Sequence, residues 1–266
     1  MKQDAPLGVF DSGVGGLTVV QAIRRLMPQE DIIYLGDTAR VPYGGKSPDT
    51  IRRFSREISI FLQSQGVKAI VIACNTASAH AMEMLQAEMP LPVFGVIRPG
   101  VETALEATKN GRIGIIGTTG TILSQAYQKE LATERPNLHL FAEATPLLVP
   151  LVEENWLDRP ASRLVVEEYL TPLLAARIDT LVLACTHYPL LKHLLQNVVG
   201  EGIRLVDSAG ATALHLQRYL QVHGLASQGG GEAGVRIFLT DMPLQFSHMA
   251  ERFLQEKPAS IEVVSL

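Results

Sequence analysis

Short runs of aliphatic, mostly β-branched residues alternate along this chain with stretches in which apolar positions recur every three or four residues. That is the pattern of buried strands separated by amphipathic helices. Leu7-Gly8-Val9-Phe10 predicts a first strand, and the glycine turn Asp11-Ser12-Gly13-Val14-Gly15-Gly16 leads into a helix with Leu17, Val20, Ile23 and Met27 inward. Ile32 to Leu35 predicts a second strand, followed by a long loop from Gly36 to Pro48 and a helix from about Asp49 that Gly66 stops. Lys68 to Ala73 predicts a strand that ends at Cys74, with Ala77, Ala81, Met84 and Leu85 on the helix beyond it. Leu91 to Ile97 reads as a fourth strand and Arg98-Pro99-Gly100 as a boundary.

The pattern then starts again. Arg112 to Thr121 repeats the strand and glycine turn of Leu7 to Gly16, Leu138 to Glu143 repeats the Ile32 strand, and Thr180 to Ala184 ends at Cys185 as the earlier strand ends at Cys74. Between these lie a helical segment around Leu123 to Thr133, a loop from Ala144 to Glu154, and a helix from about Ser162 to Ala176. Ile203 to Val206 predicts a strand ending at Asp207, and the helix from Ser208 returns the chain to its first half. A surface turn at Gln228 to Gly234, a strand at Val235 to Leu239, a helix at Gln245 to Leu254 and a strand at Ile261 to Val264 complete it. The expectation is an α/β fold of two pseudo-symmetric domains with mostly parallel sheets and an active site in the cleft between them. The domains would span 1–97 plus 208–266, and 98–207.

Composition narrows the function. With 266 residues, 47% of them hydrophobic, the chain can bury a large core, and a net charge of −4 leaves no overall basic surplus for a phosphate backbone, so nucleic acid is not expected as the primary partner. Every apolar run is interrupted well short of a membrane span, and the residues from Met1 to Pro6 have no apolar targeting core. The cytoplasm is the expected compartment. Thiols stay reduced there, so two cysteines without CxxC spacing argue against a structural disulfide.

Those two cysteines are the only ones in the chain, and both fall where a strand meets a helix start. As buried small hydrophobes they would need no polar company, yet Asn75-Thr76 and Thr186-His187 follow at once, at the strand ends where α/β proteins place ligands. A zinc site from Cys74, Cys185 and His187 is a second reading, without a short-range ligand pair to anchor it. A third is a pair of acid–base thiols facing each other across one small substrate. Their ordinary pKa of about 8.5 can be tuned by a helix N-terminus or an imidazolium.

Four ordered motifs, Gly8 to Gly16, Gly36 to Gly44, Ala73 to Ala79 and Ala184 to Leu190, together resemble the glutamate racemase family over nearly the whole chain. The resemblance implies interconversion of L- and D-glutamate without cofactor or metal, supply of D-glutamate for peptidoglycan, and a cytoplasmic homodimer. It places the catalytic thiols on Cys74, for D-glutamate, and Cys185, for L-glutamate, with Asp11 and His187 as auxiliary groups. Substrate binding falls on Asp11, Ser12, Tyr43, Gly44, Asn75, Thr76, Thr118, Thr121, Thr186 and His187. Each has a chemical counterpart: neutral donors at helix starts suit a carboxylate in a developing carbanion, and Asp11 suits an ammonium. Two departures stand out. Thr145 replaces a frequent noncatalytic cysteine, and Arg98 stands where an acidic residue is common. Glu153 falls where the resemblance puts an acidic residue discussed as an assistant, but reads more simply as a solvated surface pair with Glu154, and Asp37 as an orienter or cap of the Tyr43 loop. An aspartate racemase, a zinc-dependent hydrolase and a noncatalytic two-lobed amino-acid sensor are the competing functions.

Overall fold

The computed structural model describes residues 2–229, 233–244 and 246–266. The central Gly230 to Glu232 part of the expected surface turn, and Gln245 at the expected helix start, lie outside the described residues.

The first half runs β1 (Leu7–Asp11), α1 (Leu17–Leu26), β2 (Ile32–Gly36), α2 (Pro48–Ser64), β3 (Ala69–Ile72), α3 (Asn75–Glu88) and β4 (Val93–Gly95). A crossover helix α4 (Ile97–Ala107) leads to β5 (Arg112–Gly117), α5 (Thr119–Ser124), α6 (Ala126–Glu134), β6 (His139–Ala144), α7 (Leu148–Glu153), α8 (Pro160–Ala175), β7 (Thr180–Ala184), α9 (Lys192–Val199) and β8 (Arg204–Asp207). The return helix α10 (Ala209–Val222) precedes β9 (Val235–Leu239), α11 (Phe246–Leu254) and β10 (Ser260–Val263).

One sheet has the order β10-β9-β2-β1-β3-β4 and the other β6-β5-β7-β8, with every pairing among the described strands parallel. The strand order β2-β1-β3-β4 recurs as β6-β5-β7-β8, so the repeat legible in the sequence is also a repeat of topology. β9 and β10 extend only the first sheet, on the β2 edge. Helices cover both faces of a parallel sheet, which is why β1, β2, β3 and β7 are buried at every position rather than alternating.

Several boundaries differ from the sequence reading, each for a local reason. Arg98-Pro99-Gly100 is not a boundary but part of α4, because proline in the first helical turn gives up an N–H that has no intrahelical partner. The fourth strand is confined to Val93–Gly95. The helix expected over Leu123 to Thr133 is two helices, broken where Gln125 takes a left-handed φ of 56°. The loop from Ala144 to Glu154 contains α7. Lys68, at the foot of the Cys74 strand, is fully buried: its ammonium pairs with Glu30 and donates to the carbonyls of Gln3 (2.7 Å) and Leu225 (2.8 Å), fastening two distant loops beneath β3. No helix among the described residues is long and apolar enough to cross a membrane.

Candidate active site

Parallel strands deliver their C-terminal ends to one edge of a sheet, and here both sheets deliver them to a shared cavity of about 470 Å³. Ser12, Tyr43, Gly44, Cys74, Asn75 and Thr76 line it from the first half, and Thr118, Cys185, Thr186 and His187 from the second. Its volume lies within the range of small-ligand sites. Asp11 and Thr121 are fully buried just behind this lining. A more open concavity of about 900 Å³ over β8 is lined by Asp179, Lys192 and Asp207 and holds neither cysteine.

Cys74 follows β3 and caps α3, its sulfur accepting the Ala77 N–H at 3.4 Å and lying 3.7 Å from the Ser12 hydroxyl. A helix N-terminus favours a thiolate, but burial and the nearby Asp11 carboxylate outweigh it, pushing the Cys74 thiol up to about 12. Asp11 ends β1 with no exposure; it accepts the Gly13 N–H at 3.0 Å and the Thr186 hydroxyl at 3.4 Å. Burial raises its pKa despite the opposing charge of His187 and these hydrogen bonds.

Cys185 follows β7 and is succeeded by a short 3₁₀ turn at Tyr188–Leu191. Its sulfur stands 3.9 Å from Nδ1 of His187, whose Nε2 is 3.0 Å from the Glu153 carboxylate at the end of α7. Burial alone would strip the imidazole of its proton. Hydrogen bonds and charge from Cys185 and Glu153 reverse that and raise His187 to about 10, so the ring is an imidazolium near neutrality.

The neutral donors gather between these ends. The hydroxyls of Thr76, Thr118 and Thr121 form a triangle with edges of 2.8, 3.0 and 3.0 Å, Thr76 from the first half and the others from the second. Asp37 is buried and accepts from Tyr43, from Nε of Arg40 (2.7 Å) and from Thr240 (2.9 Å), so it orients the Tyr43 loop. That loop lies directly on Thr118, since a Cβ at Gly44 would come within 2.8 Å of the Thr118 Cβ. Gly15 plays the same part on the other flank. A Cβ there would fall 2.3 Å from Thr186 Oγ1 and 2.5 Å from His187 Nδ1, so only glycine lets the first-half turn rest on the second-half site.

With this geometry in hand, comparison with known proteins is direct. The Asp/Glu/hydantoin racemase family model matches residues 17–216. The chain belongs to that family. It is 50% identical to the glutamate racemase of Syntrophus aciditrophicus over 98% of this chain and 97% of that protein. Among solved structures, a glutamate racemase isoform from Bacillus anthracis superposes with a TM-score of 0.95 at 40% identity, covering 99% of this chain and 98% of that one. The glutamate racemase of Francisella tularensis, solved in complex with D-glutamate, gives 0.93 at 38% identity with the same coverage.

In this racemase the expected site residues come together at one place, and the structure adds others. Glu153 is not a solvated partner of Glu154: it lines the cavity and holds His187. α11 supports that arrangement from the other half, with the Phe253 ring edge-on to His187 at 5.4 Å and Arg252 donating to Asn155 Oδ1 at 2.8 Å just beyond α7. Pro146, Val149 and Pro150 supply an apolar wall. The Glu-Glu pair at 153–154 and the Pro-Leu-Leu-Val-Pro run before it were the available signals, and neither discloses its partner. Among the described residues no group of three His, Cys, Asp or Glu side chains is placed to hold a metal ion, so the geometry offers the zinc reading no ligand set. What the cavity does offer is two ionisable sulfurs, an imidazolium, a buried carboxylate and a row of hydroxyl and amide donors, the equipment of proton transfer to and from a carbon acid.

Proposed function

We propose that this racemase interconverts L- and D-glutamate, with Cys74 and Cys185 as opposed acid–base groups. The observation that carries this reading is that the two cysteines end equivalent strands of a repeated sheet and line the same cavity. From L-glutamate, Cys185 as thiolate removes the α-proton while the Cys74 thiol delivers its own to the opposite face. D-glutamate leaves with Cys185 protonated and Cys74 ionised, and the reverse reaction retraces these steps. Each turnover takes one proton from carbon and returns one, so no cofactor enters.

The donors of Asn75, Thr76, Thr118 and Thr186 hold the α-carboxylate, which gains charge as the proton leaves, and Thr121 binds through the hydroxyls of Thr76 and Thr118 in front of it. Asp11 receives the ammonium, and Ser12 with the Tyr43-Gly44 loop faces the side-chain carboxylate. His187, charged by its place between Cys185 and Glu153, puts a cation 3.9 Å from the sulfur that must become anionic. Residues 1–97 with 208–266 form one domain and 98–207 the other, with the reaction in the cleft. The product D-glutamate serves peptidoglycan synthesis in the cytoplasm, and the working unit is a homodimer. The 50% identity to a glutamate racemase along nearly the full chain favours glutamate over aspartate.

Circular dichroism of either glutamate enantiomer with the purified protein tests this. The signal decays to zero from both sides, unchanged by a chelator, while L-aspartate keeps its signal. A steady glutamate signal, or faster decay with aspartate, overturns the assignment.

A further inference from the structure

Asn75 opens α3 and lines the cavity, and its side chain is 3% exposed at the residue level. A side-chain amide has an acceptor end and a donor end, and only the donor end suits a carboxylate ligand. Which end faces the cavity depends on what holds the other. The Tyr127 hydroxyl, from α6 in the second half, lies 2.7 Å from Asn75 Oδ1 and donates to it. Tyr127 is itself 1% exposed, and burial raises its pKa, so the phenol keeps its proton throughout the working range. A Cβ at Gly100 of α4 would come 3.1 Å from the phenol oxygen and 3.3 Å from the Cβ of Ser208, where the chain returns to the first half. Both crossovers between the halves therefore pass beside this phenol.

We infer that Tyr127 is a positioning residue for substrate binding: by occupying the amide oxygen of Asn75 across the two halves, it turns the amide N–H groups into the cavity, toward the substrate carboxylate. The inference rests on the proposed reading of Asn75 as a carboxylate donor. Without the Tyr127 proton the amide can rotate and present its oxygen, which repels a carboxylate. The phenol touches no reacting atom. Its loss weakens the hold on the carboxylate, both in the bound substrate and as charge builds on it.

Tyr127→Phe keeps the ring and removes only the hydroxyl. With D-glutamate as the probe, its KM rises about three- to tenfold, the worth of one buried hydrogen bond, and kcat falls by no more than KM rises. In an Asn75→Ala background the same substitution changes KM by less than about twofold, because there is no amide left to orient. Asn75→Asp supplies a second route that leaves Tyr127 intact: it still accepts from the phenol but has no N–H to offer, and it raises KM at least as far as Tyr127→Phe does. A wild-type protein that leaves glutamate untouched refutes the functional reading itself. A wild type that racemises glutamate, beside a Tyr127→Phe protein of unchanged KM, refutes the positioning role alone. So does an equal KM increase with and without Asn75, or an Asn75→Asp variant that binds like wild type.

Discussion

Cys74 and Cys185 leave the same strand of a repeated sheet, and from there their surroundings diverge. Cys74 opens the long helix α3, accepts a backbone N–H, and has Ser12 and a buried Asp11 for company. Cys185 opens only a 3₁₀ turn and has an imidazolium held by Glu153 beside it. At the first end burial and a neighbouring carboxylate keep the sulfur protonated, up to about 12; at the second a cation stands ready for a negative sulfur. The repeated topology thus places the two sulfurs equivalently, and the flanking residues give each different surroundings. In the proposed reaction the protonated Cys74 is the donor of the L-to-D direction.

Because enantiomers are equal in energy, kcat/KM must be the same from either side for any variant, so asymmetry between the two ends is read in kcat and in isotope exchange. The largest effect belongs to the sulfurs: Cys74→Ser or Cys185→Ser lowers racemisation by about 10³-fold or more in a circular dichroism assay, since a hydroxyl is far too weak an acid at neutral pH. Next, His187→Asn costs about 10²-fold and lowers kcat more from L-glutamate than from D-glutamate, which would fail if both ends relied on the imidazolium equally.

Glu153→Gln costs about tenfold and moves a pH limb. His187 holds its proton to about pH 10 in the folded protein against 6.5 ordinarily, so activity that needs the imidazolium falls as pH rises through about 10. The substitution removes a cause of that rise, and the alkaline limb moves to lower pH. Stability follows the same sign: the contribution of the raised pKa is whole below about 6.5 and disappears as pH climbs through about 10, which chemical denaturation at several pH values measures. Smallest is Ser12→Ala, about two- to threefold in kcat from D-glutamate, because the 3.7 Å contact to Cys74 is a weak one.

The parts of this molecule legible in sequence are those fixed by local chemistry. Strands buried on both faces, such as Ala69–Ile72 and Thr180–Ala184, must be continuously apolar, so they stand out, and with them the residues just past their ends. The glycine turn after β1 was visible too, but not that Gly15 must be bare to admit Thr186 and His187. What Glu153 and Tyr127 touch was hidden for the same reason. Their partners, His187 and Asn75, are supplied by packing of distant segments, and a lone Glu or Tyr in an amphipathic stretch looks like any other. Asp37 lay between: its place after a strand suggested an orienting role, and its contacts with Tyr43, Arg40 and Thr240 define it.

Opposed thiols make one demand that a single-base mechanism does not. In deuterium oxide, followed by proton NMR at the α-carbon, Cys74→Ser should still wash deuterium into L-glutamate but not into D-glutamate, and Cys185→Ser the reverse. If either variant exchanges both enantiomers at comparable rates, one sulfur reaches both faces, and the division of labour between the two strand ends is wrong.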